Sequence, residues 1–368
     1  MTALPMKFFD ECTNEPAKPW LIKGVLALDE DSSWYGPAGG LKSSLLTDIA
    51  VHGAAGRDWR GFKTKQKFGT VYFALERAGL QRRRLAAYAK RDGHAGLPIA
   101  VVDQIVDLTD EASVRIVIAT ITTAQERFGV PVGLAIFDTY AKAVAAGGGD
   151  EDKAQHVNLV AANLKRIHDQ LGQPIHLATI GHTGKDETKG ERGSSAKTGH
   201  IDLGVQISGD KVKTATITKA NDQPEGVLTS FVGQEVTVGT DADGDDLTAF
   251  IVSPMAVQAA PEQASRLSDN QVNALDTLKT TIKDHGQKGA VAVHAWKEEL
   301  FRRGVLDRDA PNPREPFRRL KASLIKTQRI EEDNGMVRFT STNAIPMTTR
   351  AAAGIISPCP VPPPIPIR

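Results

Sequence analysis

Apolar positions group in two ways along the chain, and the change from one to the other divides it. From about residue 20 to residue 231, short apolar runs alternate with helical-length stretches. That alternation predicts strands and crossover helices around a largely parallel sheet. The runs at 24–28, 70–75, 132–138 and 175–181 read as strands, and the last three end at, or immediately before, a polar or glycine residue, where α/β sheets place their ligands. Residues 203–208 and 212–219 predict a hairpin closed at Gly209-Asp210, giving the sheet an antiparallel edge.

Between 233 and 268 the chain turns to Asp, Ala, Gln and Gly, carries Pro254 and Pro261, and loses periodicity, so it reads as a linker. Helical spacing returns with Val272, Leu275, Leu278 and Ile282, then with Trp296, Leu300 and Phe301, and again with Phe317, Leu320, Leu324 and Ile325. Two short strands around Asn334-Gly335 follow. Three helices and a hairpin predict a winged helix-turn-helix. The division expected is an arm over 1–19, an α/β domain over 20–235, a linker over 236–266, a winged helix over 267–340 and a Pro-rich extended tail over 341–368.

Composition narrows the class. The 368 residues are 40% hydrophobic and 24% charged, which suits a globular chain of two domains and neither a disordered nor a membrane protein. Forty-five Lys and Arg against forty-four Asp and Glu leave a net charge of +1, so affinity for nucleic acid must come from local clusters. Cys12 and Cys359 stand at opposite ends, which excludes a disulfide framework and a CxxC metal site, and a reducing, cytoplasmic location is expected. Asp10 and Glu11 fall where a signal peptide needs apolar residues, and no run of about 18 apolar residues occurs, so no membrane partner is expected.

The strongest chemical signal is Gly36-Pro-Ala-Gly39-Gly40-Leu41-Lys42-Ser43-Ser44, placed between an expected strand and a helix over 44–55. It is a P-loop with one departure: Leu41 stands where GxxxxGK[ST] has its last glycine. Gly36, Gly39 and Gly40 let backbone N–H groups wrap phosphates, Lys42 reaches the β- and γ-phosphates, Ser43 can ligate Mg²⁺, and Ser43 and Ser44 open the helix whose N-terminus favours anions. The nucleotide expected is ATP with Mg²⁺. Two buried-strand runs end in carboxylates, VYFALE at Glu76 and LAIFD at Asp138. In phosphoryl transfer one such group holds the metal and another polarises water, and here Asp138 fits the metal role and Glu76 the base role.

GPAGGLKSS, VYFALE, LAIFDT and Ile180-Gly-His182-Thr-Gly-Lys185 with Arg192-Gly-Ser-Ser195 resemble the RecA-like P-loop ATPases of the plasmid RepA-type and DnaB-type hexameric helicase group. The resemblance covers about residues 20–235. It implies that Glu76 is the catalytic base, that His182 senses the γ-phosphate, and that Lys219 reaches a neighbouring subunit's site. Asn221 stands where the group carries an arginine finger, which leaves Arg192 or Lys197 to take that role. The loop 185–192 is expected either to contact a nucleic-acid backbone or to be a plain surface loop.

In the C-terminal part, residues 294–329 hold ten Lys and Arg against five acids. Arg314, Arg318, Arg319 and Lys321 fall on the third helix, where a winged helix places DNA contacts. The run Asp241–Asp246 reads as solvated linker rather than a Ca²⁺ loop, since Val252 stands where such a loop has glutamate. The sequence thus predicts an α/β, RecA-like core with a C-terminal winged helix. Its expected function is that of a ring-forming, hexameric helicase of a mobile element, acting on DNA and on a replication protein partner. The alternative is a nucleotide-gated initiator or regulator with slow hydrolysis.

Overall fold

The computed structural model describes residues 6–13, 17–184, 190–255, 257, 269–287, 289–308, 314–326 and 329–340. The chain divides into two compact units, Met1–Ala260 and Pro261–Arg368. The tail expected over 341–368 lies outside the described residues, as do residues 185–189 of the loop singled out above.

The first unit opens with α1 (Phe9–Cys12) and a small antiparallel pair, β1 (Trp20–Ile22) and β2 (Leu26–Ala27). Then come β3 (Asp31–Gly36), α2 (Lys42–Ala55), β4 (Gly69–Ala74), α3 (Ala78–Asp92) and β5 (Ile99–Val102). They are followed by α4 (Ala112–Phe128), β6 (Val132–Asp138), α5 (Tyr140–Ala145), α6 (Ala154–Leu171) and β7 (His176–His182). The unit closes with α7 (Ala196–His200), β8 (Leu203–Ser208), β9 (Lys213–Ala220), β10 (Gly226–Phe231), β11 (Gly233–Thr240) and β12 (Asp246–Val252). Among the described residues the central sheet has the order β10-β9-β8-β3-β7-β6-β4-β5. It is parallel from β8 to β5, and β9 runs antiparallel to both of its neighbours. The strand over 212–219 was expected at the edge, but β10 lies outside it.

Side-chain alternation along the strands builds a core on each face of this sheet. On β6, Leu134 and Ile136 join Trp34, Leu45 and Ile49 under α2, while Ala135 and Phe137 join Phe73 and Val160 on the other side. Phe73 and Phe137 stack with ring centres 4.8 Å apart.

The strand that leads into the P-loop is not the expected 24–28 but β3, whose sequence DSSWYG hardly reads as a buried strand. It is buried because its hydroxyls are bonded. Ser32 Oγ lies 2.7 Å from His176 Nε2 and accepts from Trp34 Nε1 at 3.0 Å, while Ser33 Oγ donates to both oxygens of Glu191, at 2.9 and 2.8 Å. Residues 24–28 contribute only β2 to the small pair.

The expected linker also needs correction. Most of its first half forms the hairpin β11–β12, whose Ala249 and Ile251 pack with Val51 of α2 and Ala87 and Tyr88 of α3. Polar residues between Val236, Val238, Ala249 and Ile251 masked the pattern. The acidic run is the hairpin's turn, in which Asp241 Oδ1 accepts the N–H groups of Asp243 and Asp245, both inside the run.

The second unit runs α8 (Asp269–His285), β13 (Ala290–Ala292), α9 (Val293–Arg302), α10 (Arg314–Lys326), β14 (Ile330–Asp333) and β15 (Met336–Phe339). Its sheet has the order β13-β15-β14. Leu278, Trp296, Leu300, Phe317 and Leu324 form its core, and Trp296 Nε1 donates to the Ala274 carbonyl at 3.1 Å. Asn334 and Gly335 both have positive φ, 50° and 75°, as a two-residue hairpin turn requires.

Candidate active site

The carboxyl ends of the central strands carry the groups the sequence singled out. β3 delivers the chain to the loop, and α2 begins at Lys42 with no side-chain cap and no acidic residue in its first turn. An uncapped helix N-terminus presents free N–H groups and a partial positive charge. Leu41 has φ 62°, the left-handed conformation that explains why the usual motif has glycine there. For a leucine this costs roughly 1–2 kcal/mol. Packing against the core and a 2.9 Å bond from Leu45 N to the Leu41 carbonyl hold it in place. Gly36 is needed for another reason: a Cβ there would collide with the Ile207 carbonyl on β8.

Lys42 Nζ donates to the carbonyls of Gly36 (2.9 Å) and Pro37 (2.8 Å), and it lies 3.3 Å from His182 Nδ1. Burial pulls the Lys42 ammonium down to about 8, against the opposing pull of Asp138 and Glu76. Burial, and then the Lys42 charge, also holds His182 below the usual histidine range. A neutral His182 accepts from Lys42 through Nδ1, and this hydrogen-bond pattern assigns the proton to Nε2.

Asp138 ends β6 and accepts the Tyr72 hydroxyl at 2.6 Å. Burial, with the Asp138 charge, keeps that phenol far above its usual range, so it stays a donor. Glu76 follows β4 and accepts from Thr139 Oγ1 at 2.8 Å, while Leu75 N bonds the Asp138 carbonyl at 2.7 Å and ties the two strand ends together. Gly39, Gly40, Leu41, Lys42, Ser43, Glu76, Asp138 and His182 line one cavity of about 240 Å³. β7, which carries His182, lies directly beside β3, and β6, which carries Asp138, lies one strand further out.

These residues fit ATP and Mg²⁺. A largely buried ammonium held by carbonyls, a loop of backbone N–H groups and an open helix N-terminus form an anion cradle. Among the described residues no cluster of three His, Cys, Asp or Glu side chains could hold a metal by itself. Ser43 and Asp138 line the cavity and could hold Mg²⁺ beside phosphate oxygens and water.

Other expected residues stand elsewhere. Ser44 is buried and donates to the Phe250 carbonyl at 3.3 Å, away from the cavity, because helical geometry turns it toward the β11–β12 hairpin. Arg192 is more than half exposed and sits 3.2 Å from Glu151, although its backbone N–H bonds the His182 carbonyl at 2.7 Å. Lys219 donates to the carbonyls of Thr198 and Ile201 outside the cavity, and Asn221 Nδ2 bonds Asp202 at 2.8 Å. Lys197 is no free finger. It is buried, paired with Glu191, and lies 3.6 Å over the Tyr140 ring.

Sequence reasoning missed Tyr72, Thr139 and Glu191. Tyr72 sits four residues before Glu76 on the same strand run, where alternation alone marks it only as core. Glu191 folds back to Ser33 and Lys197 and fills the space above Gly181, where a Cβ would strike its carboxylate.

On α10, Arg318 and Arg319 both pair with Glu315, at 3.0 Å, and Lys321 pairs with Glu332 at 2.7 Å. The two arginines are about three-quarters exposed and Arg314 is also exposed. No helix among the described residues is long and apolar enough to cross a membrane.

No curated protein matches the sequence. Similar solved structures include a KaiC-like protein from the archaeon Pyrococcus horikoshii OT3, at 13% identity and TM-score 0.40, over 64% of this chain and 94% of that one. Another is the RadB recombinase, at 13% identity and TM-score 0.41, over 56% and 88%. The sheet, with its P-loop strand between β7 and β8 and the carboxylate strands beyond, is a RecA-like α/β core. The AAA domain family matches residues 3–188, half of the 368 residues, and that stretch contains the P-loop, both carboxylates and His182. The chain therefore belongs to the AAA domain family of P-loop ATPases.

Proposed function

We propose that the chain is an ATP-driven, ring-forming motor acting on DNA, of the plasmid RepA-type and DnaB-type helicase group, with a C-terminal winged helix that docks on DNA or on a replication partner. The observation that carries the reading is the convergence of Lys42, Ser43, Glu76, Asp138 and His182 on one cavity. Lys42 and the loop N–H groups bind the β- and γ-phosphates. Ser43 and Asp138 hold Mg²⁺, which neutralises charge on the phosphates when bound. Glu76 accepts the proton of the attacking water, and His182 offers its Nε2–H to the γ-phosphate.

The DNA part is supported by the second unit. Its order of helix, strand, helix, helix and hairpin, with β13 added to the hairpin sheet, suits a winged helix, and Arg314, Arg318, Arg319 and Lys321 stand on the helix that would meet the duplex. A domain division near residue 260, with the β11–β12 hairpin kept in the first domain, goes with this reading. Lys219, outside its own cavity, suits a role across a subunit interface.

A second reading, a nucleotide-gated initiator or regulator with slow turnover, is favoured by two local bonds. Asn221 is tied to Asp202 and Lys219 to two carbonyls, so neither is poised as a finger. The test is ATP hydrolysis with and without single-stranded DNA, together with strand separation. Stimulated turnover with unwinding supports the motor. Tight duplex-site binding without unwinding supports the regulator, and no ATP turnover under any condition removes the motor.

A further inference from the structure

The wall of the cavity opposite the P-loop is α3, and its polar side chains differ in how they are partnered. Gln81 is committed: its amide exchanges hydrogen bonds with the Thr47 hydroxyl, at 2.9 and 3.3 Å. Arg82 pairs with Asp103 on the outer side at 3.0 Å, and Arg91 is held by Asp92 and the Val252 carbonyl. Arg77 lines the cavity mouth and is exposed. Arg84 is different. It lines the cavity, its Nε is withdrawn from solvent, and it has no hydrogen-bond or ion-pair partner among the described residues.

A buried donor left unbonded costs about 1–3 kcal/mol, and more when charged. No carboxylate answers Arg84, although Asp138 and Glu76 line the same cavity and are already bonded to Tyr72 and Thr139. Arg84 lines the same cavity as Lys42, Ser43 and both carboxylates. A planar guanidinium with several N–H donors suits a phosphate better than any other common group. The position that would supply such a group from a neighbouring subunit holds Asn221, which is bonded to Asp202.

We infer that Arg84 is a phosphate-binding residue of this nucleotide site, contacting the terminal phosphate of ATP from within the same chain. The inference rests on the cavity being the ATP site and adds a cationic contact in cis. Its consequence is that discrimination of ATP from ADP does not require a neighbour's arginine.

The test is titration of the full chain, with Mg²⁺, by a non-hydrolysable ATP analogue and by ADP, for the parent, Arg84→Ala, Arg84→Gln and Arg84→Lys. The expected result is a loss of about ten- to hundredfold in affinity for the ATP analogue in the Ala and Gln variants, with ADP affinity held within about twofold. Lysine should recover part of the loss, because it keeps the charge without the fork. Unchanged affinity for both nucleotides, or an equal loss for both, would overturn the assignment. A parent that binds neither nucleotide would instead overturn the ATP-site reading, and the inference with it. A mixture of Arg84→Ala and Lys42→Ala chains separates cis from trans. No recovery of hydrolysis is expected, since both lesions lie in one chain's site, and recovery would move Arg84 to its neighbour and reject the inference.

Discussion

The two units use charge in opposite ways. In the P-loop cavity, Lys42, Asp138, Glu76, His182 and Arg84 share a small volume, and burial moves both Lys42 and His182 away from their usual ionisation. On α10, Arg318 and Arg319 are about three-quarters exposed and share one acid, Glu315. Exposed pairs of that kind contribute little individually and are screened by salt. The difference teaches where single substitutions are decisive. In the cavity each group has a geometry that water cannot replace, whereas the helix surface acts as a sum of charges.

The largest effect is expected from Lys42→Ala. The ammonium has no substitute within the loop, and nucleotide affinity should fall about a hundredfold or more in a binding titration. Parent-like binding would erase the contrast between the two units. Acid stability probes burial further. His176 is fully buried, Nδ1 faces the Ala27 carbonyl at 2.6 Å, and burial pulls the imidazole down to about 4. The folded state therefore keeps it neutral while the unfolded chain protonates below about 6.5, so its contribution is complete above that pH and is lost as pH falls toward 4. Between pH 7 and pH 5 the parent should lose about 2 kcal/mol more than His176→Asn in urea unfolding. Equal slopes would show that the imidazole is not desolvated.

Lys219→Ala should change folding stability by only about 1 kcal/mol, because its two carbonyl bonds, one exposed and one part-buried, are exchanged for bonds to water. Its effect on turnover sharpens the ring reading: mixed with Lys42→Ala chains it should regain activity, whereas failure to complement favours the regulator. The smallest effect belongs to Arg318→Ala, about two- to threefold in DNA affinity with a shallower salt dependence, measured by fluorescence titration at several salt concentrations.

What could be read from the sequence follows the same physics. β4, β6 and β7 are visible because their apolar runs end at Ala74 and Leu75, Asp138 and His182, so both carboxylates and the histidine come out in place. β3 is not visible, because Ser32 and Ser33 look like loop residues until His176 and Glu191 are brought beside them from far along the chain. The β11–β12 hairpin was lost in the same way, its apolar residues being few and its turn acidic. The C-terminal helices were legible from spacing alone, since Ala274 and Leu278, Trp296 and Leu300, and Phe317, Leu320 and Leu324 recur on one face of α8, α9 and α10. Arg84 carried no signal: among several arginines on α3, only burial and the absence of a partner distinguish it.

In the proposed function the cavity hydrolyses ATP with Glu76 as the base. The most direct measurement takes Glu76→Gln and determines ATP affinity and ATP turnover on the same preparation. The amide keeps the shape of the side chain and cannot take the proton, so affinity should stay within about threefold of the parent while turnover falls on the order of 10²–10⁴. Turnover equal to the parent's at unchanged affinity would contradict the account.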